Sequence, residues 1–124
     1  MKKKILLVDD EEEIRELIKQ RLLRYNYEVL TASNGREALV ICGLQRPDLV
    51  LMDIVMPEMD GYLACEQLRM NKDTKDLPVI FLTGKDLQHQ GIVERCKNLD
   101  VQGYISKINT PEELFNKIKE ILGE

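Results

Sequence analysis

The chain has little of several things that would point at once to a function. Charge of one sign is scarce: 18 basic and 22 acidic side chains leave a net charge of −4, not the basic face that nucleic-acid binding calls for. Long apolar runs are missing. None approaches the roughly 20 residues of a membrane helix. The positive start Met1-Lys2-Lys3-Lys4 is followed only by the apolar Ile5–Val8, shorter than the apolar region of about 7–15 residues in a secretory signal. Cysteines number three, Cys42, Cys65 and Cys96, far apart and in no C-x-x-C metal pattern. They read as reduced, mostly buried small residues of a cytoplasmic protein. No Gly-rich loop follows any strand, which excludes dinucleotide and P-loop sites. His89, the one histidine, reads as a surface side chain and not as a phosphodonor.

What is present is an alternation of short apolar runs and helical runs over 124 residues, one domain spanning 1–124. Strands are expected at Lys4–Val8, Tyr27–Ala32, 48–53, 79–83 and Gly103–Ser106. Helices are expected at Glu12–Tyr25, with Ile14, Leu17, Ile18 and Leu22 on the inner stripe, then Arg36–Gly43, Gly61–Asn71 and a weaker one within 87–99. The last helix has Thr110 as cap, Pro111 in its first turn and Glu113 completing a capping box, with Leu114, Ile118, Ile121 and Leu122 inside. "DLVLMD" and "VIFLT" carry no polar face, so both sides of those strands are covered. Such strands, separated by helices, give an α/β fold: a doubly wound parallel sheet with helices on both faces. Sites in such folds gather at the carboxyl ends of the strands.

Those ends carry Asp9 and Asp10, Asp53, Thr83 and Lys107. Two carboxylates about 4 Å apart in a partly buried place repel by roughly 4 kcal/mol, so the acids need a partner or open water. Glu11–Glu13 suit the positive end of a helix dipole, and Asp9-Asp10 alone could be a helix cap. Asp53, set within "LVLMDIVM", needs a partner. Clustered carboxylates with a hydroxyl and an ammonium suggest Mg2+, a hard cation held by one or two carboxylates and phosphate oxygens.

The stretches "ILLVDDEEEIRELI", "PDLVLMDIVMPEMDGYLACEQLR", "PVIFLTGKD" and "GYISK" resemble the receiver domain of two-component response regulators, of the single-domain, chemotaxis-regulator-like kind. The resemblance implies five parallel strands in the flavodoxin-like order 2-1-3-4-5 with five helices. It implies a phosphoacceptor switch and not a conventional enzyme, with Mg2+-dependent self-phosphorylation and slow self-dephosphorylation. Asp53 would accept a phosphoryl group from a phosphohistidine on a sensor histidine kinase or phosphotransfer protein. Asp10, Asp53 and the backbone carbonyl of Val55 would bind Mg2+, and Asp9 would act mainly through a water. Lys107 would hold a phosphoryl oxygen. Thr83 would turn to the phosphate, and Tyr104 would swing inward. The controlled partner would be a downstream protein or an output domain outside this chain, with dimerisation on phosphorylation possible, and neither nucleic acid nor membrane is expected as a direct partner.

The chain departs from the family pattern in places. Lys107 is followed by Ile108 where the family has proline, which leaves a cis or a trans bond open. Gly84 opens the pocket where alanine is usual, while Val55 would slow water attack on a phosphoaspartate; the two act in opposite directions on its lifetime. The 84–101 segment predicts a short or mobile helix. A bare scaffold is argued against by the complete set of five side chains. A dehalogenase-like hydrolase would need D-x-D, and here the acids are adjacent.

Overall fold

The computed structural model of the protein describes residues 2–84, 91–107 and 111–124. Five strands, β1 (Lys4–Val8), β2 (Glu28–Ala32), β3 (Leu49–Asp53), β4 (Val79–Thr83) and β5 (Gly103–Ser106), alternate with α1 (Glu12–Arg24), α2 (Gly35–Gln45), α3 (Gly61–Met70), α4 (Ile92–Asn98) and α5 (Pro111–Leu122). The strands form one sheet in the order β2-β1-β3-β4-β5, parallel at every pairing. This is the expected doubly wound architecture.

Alternation along the strands divides the interior. Leu6, Val8, Val50, Met52 and Phe81 point to one face, where Ala38 and Cys42 of α2, Ala64, Cys65 and Leu68 of α3, and Ile92 and Cys96 of α4 close over them. Ile5, Leu7, Leu49, Leu51, Ile80 and Leu82 point to the other, covered by Ile18 and Leu22 of α1 and Leu114 and Ile118 of α5. Each large aliphatic side chain so buried contributes about 1.5–3 kcal/mol. Small residues on α2 and α3 allow a close approach to the sheet. The three cysteines are free and buried, and burial pushes the thiols of Cys42 and Cys65 up to about 12 and about 11, so they pack as protonated apolar groups.

Helix ends explain the shifted boundaries. Asn26, at φ 70°, lets its own N–H reach Leu23 O and the N–H of Tyr27 reach Leu22 O, a Schellman turn. That engagement takes Tyr27 out of the ladder, and β2 starts at Glu28. Leu17, expected on the inner stripe of α1, is 52% exposed. The face of α1 that meets the sheet is narrow and runs through 14, 18 and 22, so position 17 falls on its flank. α4 has seven residues, within the expected range. The Thr110 cap, the Lys107–Ile108 bond and His89 lie outside the described residues. Among the described residues no helix is long and apolar enough to cross a membrane.

Candidate functional site

The carboxyl end of the sheet is built by strand termination. At the end of β1 the chain stays paired for one further residue, the Asp9 N–H donating to Ala32 O at 3.1 Å. Asp9 is fully buried. Its Oδ1 accepts from the Glu11 N–H at 2.9 Å, so it serves the start of α1 as a turn residue. Its backbone carbonyl accepts from Arg15 Nη1 at 2.8 Å. Asp9 is not the cap of α1, whose first flanking residue is Glu11 without a side-chain cap bond; its Oδ1 serves the turn before the helix and its Oδ2 faces Lys107.

Asp53 ends β3 and is 2% exposed. Beyond it the Ile54 N–H donates to Leu82 O at 3.2 Å, and Ile54 O accepts from the Gly61 N–H at 2.7 Å. A Cβ on Gly61 would lie 2.3 Å from Asp53 O, so only glycine lets α3 begin this close to the acid. Val55, on the loop directly after, is 60% exposed.

Lys107 follows β5, and its N–H donates to Thr83 O at 2.9 Å. Its ammonium stands 2.9 Å from Asp9 Oδ2, 3.1 Å from Asp53 Oδ2 and 3.3 Å from Glu11 Oε1. Only 8% of the lysine side chain is exposed. Both Oδ2 atoms meet this ammonium as ion pairs without a directed hydrogen bond, and neither has another partner among the described residues. Asp10 is exposed, yet one oxygen from each of Asp9, Asp10 and Asp53 lies within 4.8 Å of the others. Thr83 is buried, and its hydroxyl donates to Ile105 O at 3.4 Å. Tyr104 pairs in register with Phe81 and is 46% exposed, its ring outward.

The electrostatics follow from that crowding. Burial, then the nearby charge of Asp9, pushes the Asp53 carboxyl up to about 7; Lys107 works against the rise, and the neighbouring Asp10 adds to it. Burial works against the charged form of Lys107, but the close carboxylates of Asp9 and Asp53 outweigh it and hold its pKa above the ordinary value. One ammonium faces three carboxylates, so the cluster is short of positive charge. Oxygen-only donors, two of them buried without directed hydrogen bonds, fit a small hard dication.

The structure thus brings Asp9, Asp10, Asp53 and Lys107 together, as the strand-end argument expected. Two neighbours were missed. Glu11 reads in sequence as a solvated helix-start acid, and Arg15 carries no reading there; nothing in their local pattern signals contact with Lys107 or Asp9.

Comparison with known proteins agrees with the fold and names a family. The sequence model of the response regulator receiver domain matches residues 5–119. The alkaline phosphatase synthesis transcriptional regulatory protein PhoP of Bacillus subtilis is 39% identical over 122 residues, covering 98% of this chain and 49% of that protein. The chain spans about half the length of the curated relatives it matches. The chemotaxis protein CheY4 of Vibrio cholerae superposes with a TM-score of 0.90 at 30% identity, over 98% of this chain and 99% of that one. The receiver domain of sensor histidine kinase PA1611 of Pseudomonas aeruginosa, with a magnesium ion in its active-site cleft, superposes with a TM-score of 0.88 at 30% identity, over 100% of both chains.

Proposed function

This chain belongs to the response regulator receiver domain family, a family of signalling switches and not of conventional enzymes, and on that premise we propose that Asp53 is its phosphoacceptor. The observation that carries the reading is Lys107 Nζ, held 2.9 Å from Asp9 Oδ2 and 3.1 Å from Asp53 Oδ2 at a buried rim of the sheet. Asp10, Asp53 and the Val55 carbonyl would hold Mg2+ directly, and Asp9 mainly through a water. The ion would neutralise charge on the transferring group.

Phosphoryl transfer asks for placement and charge balance more than for covalent help. A carboxylate oxygen of Asp53 attacks phosphorus in line. The bond from phosphorus to the donor imidazole nitrogen breaks as the bond to Asp53 forms. Lys107 loses part of its carboxylate company when Asp53 is esterified, and its ammonium takes a phosphoryl oxygen instead. The Thr83 hydroxyl leaves its long bond to Ile105 O for the phosphate, and Tyr104 moves into the space released. A local charge change thereby biases a two-state surface around β4, α4 and β5. Self-catalysed loss of the phosphate would reset it.

The donor is a sensor histidine kinase or phosphotransfer protein in the cytoplasm. The reader of the surface is a downstream protein or an output domain outside this chain, with dimerisation as one route of output. Incubation with Mg2+ and acetyl phosphate should add one phosphoryl group, stable in acid and labile in base, seen by intact-mass spectrometry. Equal labelling of Asp53→Asn would refute the assignment.

A further inference from the structure

Besides the core contacts of Ile92 and Cys96, two arginines with different parts tie α4 to the rest of the molecule. Arg69, on α3, donates to Leu99 O at 2.7 Å and Asp100 O at 3.1 Å, just past the end of α4. It also donates to Lys75 O at 3.1 Å and Leu77 O at 2.8 Å in the connection before β4. That clasp pins the carboxyl end of α4. One turn back, Arg95 stands over the ring of Tyr62, with Cζ 4.3 Å from the centroid. Tyr62 is held from beneath by Phe81, edge-to-face, with centroids 5.2 Å apart. Between α4 and the loop after Asp53 runs a groove of about 420 Å³, whose lining includes Val55, Asp60, Tyr62, Ile92 and Arg95.

Tyr62 stands on the turn that grips the site. The residue before it, Gly61, donates its N–H to Ile54 O at 2.7 Å and leaves no room for a Cβ against Asp53 O. The backbone of 53–55 and the first turn of α3 therefore form one tightly packed piece. Both contacts fall in the last turn of α4 or just beyond it, so that end of the helix is tied at once to the connection before β4 and, through Tyr62, to the loop after Asp53.

We infer that Arg95 is a positioning residue for the cation-binding loop: its stack on Tyr62 couples the placement of α4 to the backbone that carries Asp53 and Val55. Binding at the acidic rim and the stance of α4 are then linked energetically, and the linkage is reciprocal. This rests on the reading of Asp9, Asp10 and Asp53 as a Mg2+ site.

Titration calorimetry with Mg2+ alone tests it. Arg95→Gln and Tyr62→Leu should each weaken binding about 2–5-fold, the range of an exposed cation–π contact. The double variant should be no weaker than the worse single one, because both remove the same interaction. Tyr62→Phe, which keeps the ring, and Arg95→Lys, which keeps a cation over it, should restore most of the affinity. Mg2+ should also slow amide exchange at 92–98 in the unsubstituted chain and not in Arg95→Gln. Unchanged affinity in both single variants, or additive losses in the double, overturns the role of Arg95 and leaves the Mg2+ site standing. No Mg2+ binding by the unsubstituted chain overturns the site itself, and this inference with it.

Discussion

At the amino end of the sheet, two polar pairs are each matched one to one. The Lys4 N–H donates to Asp48 Oδ2 at 2.7 Å, and Tyr27 Oη donates to Glu124 Oε1 at 2.9 Å. Tyr25 and Phe115 stack beside them with centroids 3.7 Å apart. At the carboxyl end, Asp9, Glu11 and Asp53 converge on the single ammonium of Lys107. The same sheet therefore has one end where these polar groups pair off within the chain and one end where three carboxylates share one ammonium. Local conflict that the rest of the fold over-determines is how a site is kept ready for a ligand.

The sharpest way to break the comparison is to remove the shared cation. Lys107→Ala leaves Asp9 and Asp53 buried and facing each other, and should cost about 3–5 kcal/mol in urea unfolding at pH 8 without Mg2+, with part of the loss restored by the ion. Stability unchanged by that substitution would mean the rim is less charged than its geometry implies. Gly61→Ala comes next. Its Cβ would meet Asp53 O at 2.3 Å, so the loop must shift, at about 2 kcal/mol, and Mg2+ affinity should fall with it.

Asp53→Asn should do the opposite of most substitutions in a protein interior. Burial raises its carboxyl from 3.8 to about 7, so the folded state holds this proton more tightly than the unfolded chain. The stability from the protonated form is complete below about pH 4 and is lost as the pH rises through about 7. Above that, without Mg2+, the Asn variant should be more stable by about 1–2 kcal/mol, a gap that closes toward pH 4 and that thermal melts across this window would read. The smallest effect belongs to the other end. Tyr27→Phe loses the bond to Glu124 and should cost about 1 kcal/mol, with phosphorylation at Asp53 unaltered; a change in the labelling rate would show that the two ends are not independent.

Much of this was legible in the sequence because it depends on periodicity and on chain order. Strands without a polar side had to be covered on both faces, and alternation with helices made them parallel, so the residues at their carboxyl ends had to gather at one rim. Asp9, Asp10, Asp53 and Lys107 follow from that alone. Tertiary structure decided the rest. It divided the oxygens of Asp9 between a helix turn and an ion pair, and drew Glu11 to Lys107. It put Leu17 on the flank of α1, 52% exposed, and laid Arg95 over Tyr62. Each of these depends on distances between side chains remote in sequence, and periodicity states only which face a residue occupies, not what it meets there.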